Sequence, residues 1–283
     1  MKVLVSGAKG QLGYDVIKRL DELGEEVQGV DIDDFDLTDK AATEKFVLSF
    51  RPDVVIHCAA YTAVDLAESN KELCLKINRD GTRNIAEAAK KAGAKLMYFS
   101  TDYVFDGQGE RYFEPEDEKC PINYYGQTKL WGEEEVMSLL DRYFILRISW
   151  VFGINGKNFV KTMQKLGQER DEVSVVCDQV GSPTYTSDLA KLVCEMIKTE
   201  KYGTYHVTNE GICSWAEFAE EVMQQSGFSC KVKSITSDMY PAAAKRPANS
   251  RLSKKKLTEN GFELLPDWKD AFRRFISEEN GEF

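Results

Sequence analysis

Histidine is almost missing from this chain: its 283 residues include two, His57 and His206. Histidine-built zinc sites and Ser-His-Asp hydrolytic triads therefore have little to draw on. Seven cysteines stand at 58, 74, 120, 177, 194, 213 and 230, with no CxxC spacing among them. An odd count without metal-ligand spacing reads as free thiols in a reducing compartment. No window approaches the roughly 20 apolar residues of a membrane helix. The chain enters a short apolar run at Val3 without the longer apolar core and small-residue cleavage site of a secretory signal. The reading is a cytoplasmic protein with no membrane partner. Positive charge is also short: 37 Lys and Arg face 47 Asp and Glu, a net of −10. That balance repels nucleic acid and anionic membranes, and the run Lys254-Lys255-Lys256 is too short to reverse it.

What is present describes a globular α/β protein. Apolar residues make up 42% and charged residues 30%, a balance that supports a packed core. Short apolar runs at 3–6, 27–30, 54–57, 96–100 and 144–147 alternate with stretches of helical apolar spacing at 11–23, 41–50, 78–92 and 125–140. Alternation of this kind predicts βαβ units and a doubly wound parallel sheet covered on both faces. After about residue 150 the pattern loosens, with polar loops at 153–156 and 181–183 and further helices at 189–197, 215–225 and 268–276. The expected organisation is a dinucleotide-binding domain over 1–152, to which about 185–210 returns, and a smaller α/β substrate domain from 153–184 and 211–283.

The loop Ser6-Gly7-Ala8-Lys9-Gly10-Gln11-Leu12-Gly13 joins the first strand to the first helix. In its GxxGxxG spacing Gly7 permits the tight turn, Gly10 lets a pyrophosphate approach the backbone, and Gly13 lets helix and strand pack closely. The helix N-terminus offers free N–H groups to phosphate. Three glycines alone also fit an ordinary βα turn. The second strand ends at Asp31, about 20 residues on, where an acid binds the adenosine ribose hydroxyls. Its charge disfavours a 2′-phosphate and leans toward NADH, while Lys9 offsets it toward NADPH.

Tyr125 and Lys129 lie four apart at the start of a helix, hence on one face. A nearby ammonium favours the phenolate and lowers the tyrosine pKa from its ordinary value near 10. Tyr125 is then a proton donor to a carbonyl oxygen as hydride reaches the carbon, and Lys129 can also hold the nicotinamide ribose. Thr101, at the end of the fourth strand, is placed to hydrogen-bond the same carbonyl, because ligands of open parallel sheets gather at the carboxyl ends of the strands.

Together these elements resemble the extended short-chain dehydrogenase/reductases. Longer blocks narrow the resemblance to the dTDP-4-dehydrorhamnose reductase family: Cys58-Ala59-Ala60-Tyr61-Thr62-Ala63-Val64-Asp65, Ser100-Thr101-Asp102-Tyr103-Val104-Phe105, Arg147-Ile148-Ser149-Trp150-Val151, Asn158-Phe159-Val160-Lys161-Thr162-Met163, Asp178-Gln179-Val180-Gly181-Ser182-Pro183-Thr184 and Arg246-Pro247-Ala248-Asn249-Ser250-Arg251. The resemblance spans nearly the whole chain. It implies a Rossmann-type fold and an oxidoreductase that reduces the C4 ketone of dTDP-4-dehydro-β-L-rhamnose to dTDP-β-L-rhamnose, the last step of dTDP-L-rhamnose synthesis, with NADPH or NADH. It also implies that Gly10, Gln11 and Leu12 contact the cofactor pyrophosphate, with Gly7 and Gly13 shaping the loop. Asp31 then meets the ribose, Asp36 and Leu37 flank the adenine, and Ala60, Tyr61 and Thr62 follow the third strand beside the cofactor. Tyr125 is implied as proton donor, Lys129 as its partner and Thr101 as the group that tunes them. Thr101, Asp102 and Trp150 are implied at the sugar, and Lys161, Gln179, Arg246 and Asn249 on the nucleotide-sugar side. Read without the family, Lys161, Arg246 and Arg251 are surface cations and Trp150 a core residue; a dTDP-sugar gives the cations two phosphates to bind.

The chain departs from the family where some members gather carboxylates for a magnesium-linked dimer. Asp15 is shorter than the usual Glu, and Ser187 is a poor hard-cation ligand. No metal is assigned, Mg2+ is in doubt, and either a monomer or a homodimer is compatible. Two other readings stand: another nucleotide-sugar reductase or epimerase of the superfamily, and a non-catalytic dinucleotide-binding regulatory subunit. A sugar dehydratase is disfavoured because Tyr103 stands where its strand-end acid would be.

Overall fold

Runs such as Val54-Val55-Ile56 carry no polar face, so they become strands buried on both sides. The computed structural model describes residues 1–282. In its first half β1 (Lys2–Ser6), β2 (Glu26–Val30), β3 (Val54–His57), β4 (Lys95–Thr101) and β5 (Tyr143–Ile148) alternate with α1 (Gln11–Glu22), α2 (Lys40–Phe50), α3 (Val64–Ala67), α4 (Lys71–Leu75), α5 (Thr82–Ala92) and α6 (Tyr124–Leu139). There follow β6 (Val151–Phe152), α7 (Phe159–Glu169), β7 (Glu172–Val176), β8 (Val180–Gly181), β9 (Thr184–Tyr185), α8 (Thr186–Met196), β10 (Gly203–His206) and β11 (Asn209–Glu210). The chain closes with β12 (Cys213–Ser214), α9 (Trp215–Gln225), β13 (Lys231–Ile235), β14 (Asn249–Ser250), α10 (Lys255–Glu259), β15 (Leu265–Asp267) and α11 (Trp268–Glu279). None of the described helices is long and apolar enough to cross a membrane.

Six strands form one parallel sheet in the order β10-β5-β4-β3-β1-β2. The fold is a doubly wound, Rossmann-type α/β sheet, as the alternation of runs implied. From β1 the chain moves outward to β2 and then back to β3, so the topological switch point lies between β1 and β3. Alternate strand residues face opposite layers. Val3 and Val5 pack with α1 and α8, while Leu4 packs on the side of α2, α5 and α6. A third cluster lies outside the sheet, where Phe152, Val160, Val173, Phe218, Phe272 and Phe275 join α7, β7, α9 and α11. Beside it β8 runs between β12 and β14.

One helix differs from the expected bounds. The helix anticipated over 78–92 begins earlier, at Lys71, and passes through a π-helical turn, Lys76–Gly81, into α5. The cause is tertiary. Buried Asn78 turns its amide away from the helix to the backbone of Tyr61 and to the Thr128 hydroxyl.

Helix α6 is fixed at both ends of its buried face. Asn123 caps its start by accepting from the Gly126 N–H at 2.8 Å. Further along, Glu133 (0% exposed) takes a bidentate contact from Arg147 (2% exposed) on β5, at 2.8 and 2.7 Å. Arg147 also donates to the Pro115 carbonyl. Removing one partner leaves a buried charge alone, which costs about 3–5 kcal/mol. Arg147→Met is therefore expected to lower unfolding free energy by about that much in urea titration. The double replacement with Glu133→Met should recover most of the loss, and equal stabilities for single and double variants would contradict this account.

Candidate active site

The glycine loop crosses the switch point. Gly7 has φ +71°, and a Cβ there would lie 2.6 Å from the Ala59 nitrogen after β3. A Cβ on Gly13 would lie 2.2 Å from the Gly7 carbonyl oxygen. Both close approaches demand glycine. No side chain caps α1, so the N–H groups of Gln11 and Leu12 in its first turn are left for another acceptor. Asp31 accepts the Lys9 backbone N–H at 3.0 Å and the Ile32 N–H at 2.9 Å, while the exposed Lys9 ammonium pairs with Asp33. Asp36 is held below the usual carboxylate range by the Thr38 hydroxyl and N–H. Leu37 lies against Gly81. After β3, Tyr61 is half-buried and Thr62 exposed, with Ala60 half-buried before them. The Tyr61 N–H donates to Asn78 Oδ1 at 2.7 Å and its carbonyl accepts from Asn78 Nδ2 at 3.1 Å.

A second segment reaches this loop from outside the sheet. Asn155 donates to the carbonyls of Lys9 and Gly10, at 2.7 and 3.3 Å, and Asn158 to the Gln11 side chain at 3.0 Å. Neither asparagine was singled out from sequence, because 146 residues separate Lys9 from Asn155.

At the end of β4 the Thr101 hydroxyl donates to Asp102 Oδ1 at 3.0 Å and accepts the Tyr103 N–H at 3.2 Å. Asp102 is buried, and its other oxygen accepts the Ser250 hydroxyl. Burial pushes this carboxyl up to about 6, with Ser250 and Thr101 pulling the other way. The Tyr125 ring stands edge-on to Tyr103, centroids 5.6 Å apart. Burial and then the Asp102 charge raise the Tyr125 phenol well above its ordinary value, against a pull from the Thr101 hydroxyl. Burial, not the lowering anticipated from a Lys129 ammonium, dominates at Tyr125. Lys129 is itself buried, its Nζ 4.1 Å from the centre of the Tyr98 ring and without an acidic partner within 4 Å among the described residues. Burial pulls it down to about 7, against an upward pull from Glu133.

The remaining residues named from sequence divide by their partners. Trp150 has φ +50° and stacks on Trp215 at 3.8 Å, 14° from parallel. Lys161 donates to the Ile154 carbonyl and pairs with no carboxylate among the described residues. Gln179 donates to Ser237 at 2.9 Å. Arg246 contacts Asp65 of α3 through both nitrogens, at 2.6 and 3.2 Å. Asn249 is fully buried; it donates to the carbonyls of Gln108 and Arg111 and accepts twice from Arg251. Thr101, Asp102, Tyr103 and Tyr125 thus meet at one point, joined by Ser250, to which sequence gave no role. Among the described residues no group of three His, Cys, Asp or Glu side chains can hold a metal. Asp15 lies buried under α8, where its carboxylate accepts the Thr186 hydroxyl.

Comparison with known proteins places this chain in a family. Residues 1–280 match the model of the RmlD substrate binding domain. The chain belongs to this family. It is 39% identical over 286 residues to the dTDP-4-dehydrorhamnose reductase of Aggregatibacter actinomycetemcomitans, covering 96% of this chain and 97% of that protein. It is 38% identical over 277 residues to the spore coat polysaccharide biosynthesis protein SpsK of Bacillus subtilis, covering 98% and 97%. A crystal structure of dTDP-4-dehydrorhamnose reductase from Bacillus anthracis in complex with NADP superimposes with a TM-score of 0.96 at 43% identity, over 98% of this chain and all of that one.

The buried Asp15 gives the site's flank a pH signature. Burial raises its carboxyl from 3.8 to about 6. Because the folded value is the higher one, the group contributes stability that is full below about pH 4 and lost as pH rises through 6. Asp15→Asn is expected to gain on the wild type by roughly 2 kcal/mol between pH 4 and pH 7 in urea midpoints. A difference that does not change with pH would contradict burial of the charge.

Proposed function

We propose that the protein reduces the C4 ketone of dTDP-4-dehydro-β-L-rhamnose to dTDP-β-L-rhamnose, with NADH or NADPH as the reductant. The observation that carries this is the contact of the Thr101 hydroxyl with Tyr125, with Lys129 one turn on along α6, in a chain that aligns end to end with reductases of that name. The residues of the glycine loop suit a dinucleotide. Gly7 and Gly13 leave no side chain over the turn, and the uncapped first turn of α1 offers N–H groups and a positive dipole end to a pyrophosphate. Asp31, already fixed by two backbone donors, keeps lone pairs for ribose hydroxyls.

A bound reduced nicotinamide supplies a hydride to the ketone carbon. Tyr125 supplies the proton to the ketone oxygen, so the product is the alcohol and the residue is left as phenolate. Reduction needs the phenol protonated at the outset, and its raised pKa keeps it so. Lys129, poised near neutrality, stabilises the phenolate when it carries its proton and holds the nicotinamide ribose. Lys161 and Arg246 face the two phosphates of the nucleotide sugar, and the Trp150 ring faces the sugar. In this reading residues 1–152 and 185–210 carry the cofactor and the rest carries the sugar nucleotide.

Tyr125→Phe keeps the ring and removes the proton. Its kcat with enzymatically generated dTDP-4-dehydrorhamnose is expected to fall by roughly 10²- to 10⁴-fold. Cofactor affinity, read by quenching of tryptophan fluorescence, should change by no more than about tenfold, since the change removes a single hydroxyl. Equal turnover by variant and wild type would remove Tyr125 from the reaction.

A further inference from the structure

The bonds around Thr101 conflict with a simple role as donor to the ketone. A hydroxyl has one proton, and Thr101 donates it to Asp102 Oδ1, the two oxygens 3.0 Å apart. The oxygen keeps only lone pairs, one of which takes the Tyr103 N–H. A ketone oxygen also only accepts. While Asp102 is ionised, its carboxylate competes with the Tyr125 oxygen and the substrate for the one Thr101 proton. Asp102 is 3% exposed and pairs with no cation among the described residues. Its charge is held by two hydroxyls, Thr101 on one oxygen and Ser250 on the other.

We propose that Asp102 and Ser250 are positioning residues that set the direction of the Thr101 hydroxyl and, through it, the acid strength of Tyr125. The inference deepens the reductase reading and rests on it. When the Asp102 carboxyl is protonated, its O–H donates to Thr101. The Thr101 proton is then released toward the Tyr125 oxygen, and the negative charge that opposes phenolate formation is gone. No proton is consumed in the rearrangement; the one delivered to the ketone still comes from Tyr125. The neutral form is the faster one.

The groups that face Asp102 are few. Thr101 comes from β4, Tyr103 from the turn after it, Tyr125 from α6 and Ser250 from β14. Arg246 acts on Tyr103 and is itself neutralised by Asp65. Burial leaves the carboxyl titrating at about 6, inside an accessible pH range. Ser250 comes from the C-terminal part of the chain, so that part opposes the effect of burial on Asp102.

The test pairs kinetics with a measurement that needs no substrate. In the wild type, kcat with enzymatically generated dTDP-4-dehydrorhamnose should fall roughly tenfold as pH rises through about 6. Asp102→Asn, whose amide donates at every pH, should lose that limb. Ser250→Ala withdraws a donor from the carboxylate and should move the limb up by about one pH unit. Carbon-13 NMR of labelled aspartate carboxyls in the ligand-free enzyme, assigned by difference with Asp102→Asn, should show the same titration and the same displacement in Ser250→Ala. An Asp102 carboxyl titrating near its ordinary value, or a limb unmoved by Ser250→Ala, overturns the proposal. So does an Asp102→Asn effect confined to the sugar KM, which would put Asp102 against the sugar. A uniform loss of kcat with a lowered Tm also overturns it, since that marks a structural role. Failure of the wild type to reduce the sugar would overturn the proposed function alone, and the NMR titration would still decide the positioning pair.

Discussion

Glu133 and Arg147 hold each other in a place where neither charge is tolerable alone, and the position of α6 follows from that contact. Lys129 lies one helical turn before Glu133 and Tyr125 two turns before it, a span of about 12 Å along the axis. Gly132, next to Glu133, admits the helix to β4; a Cβ there would lie 2.3 Å from the Tyr98 hydroxyl oxygen. The same approach lays the Lys129 ammonium over the Tyr98 ring. The sheet, the helix and the side chains of Tyr125 and Lys129 are thus registered by one ion pair and one absent side chain.

The sheet and the glycine loop were legible in the sequence because both rest on local signals: apolar runs of strand length, helical spacing between them, and glycines at a strand–helix junction. The spacing of Tyr125 and Lys129 was legible for the same reason. The rest depends on contacts between distant segments. The π-helical turn before α5 follows from Asn78 bonding to Tyr61 and Thr128, which no helical period encodes. Ser250 meets Asp102 across 148 residues. Asn249 lay in a block quoted for its resemblance, but its four hydrogen bonds to neighbouring chain are visible only in the fold. The balance of forces at Tyr125 was likewise hidden, since spacing reveals the nearby ammonium but not the burial that outweighs it.

Within a net charge of −10, the cations named from sequence differ in how they are paired. Lys9 is tied to Asp33 at the rim of the glycine loop, and Arg246 to Asp65. Lys161 leans on a carbonyl instead of a carboxylate. No carboxylate among the described residues neutralises it, whereas Arg246 shares its charge with Asp65.

Trp150 carries a consequence of a different kind. Its backbone sits in the left-handed region that glycine and asparagine enter readily and that costs a bulky residue on the order of 1–2 kcal/mol. Any replacement that relaxes this bend also discards the indole stacked on Trp215. The chain's local preference and the ring's usefulness pull in opposite directions at this one residue, so improving the first by mutation would erode the second.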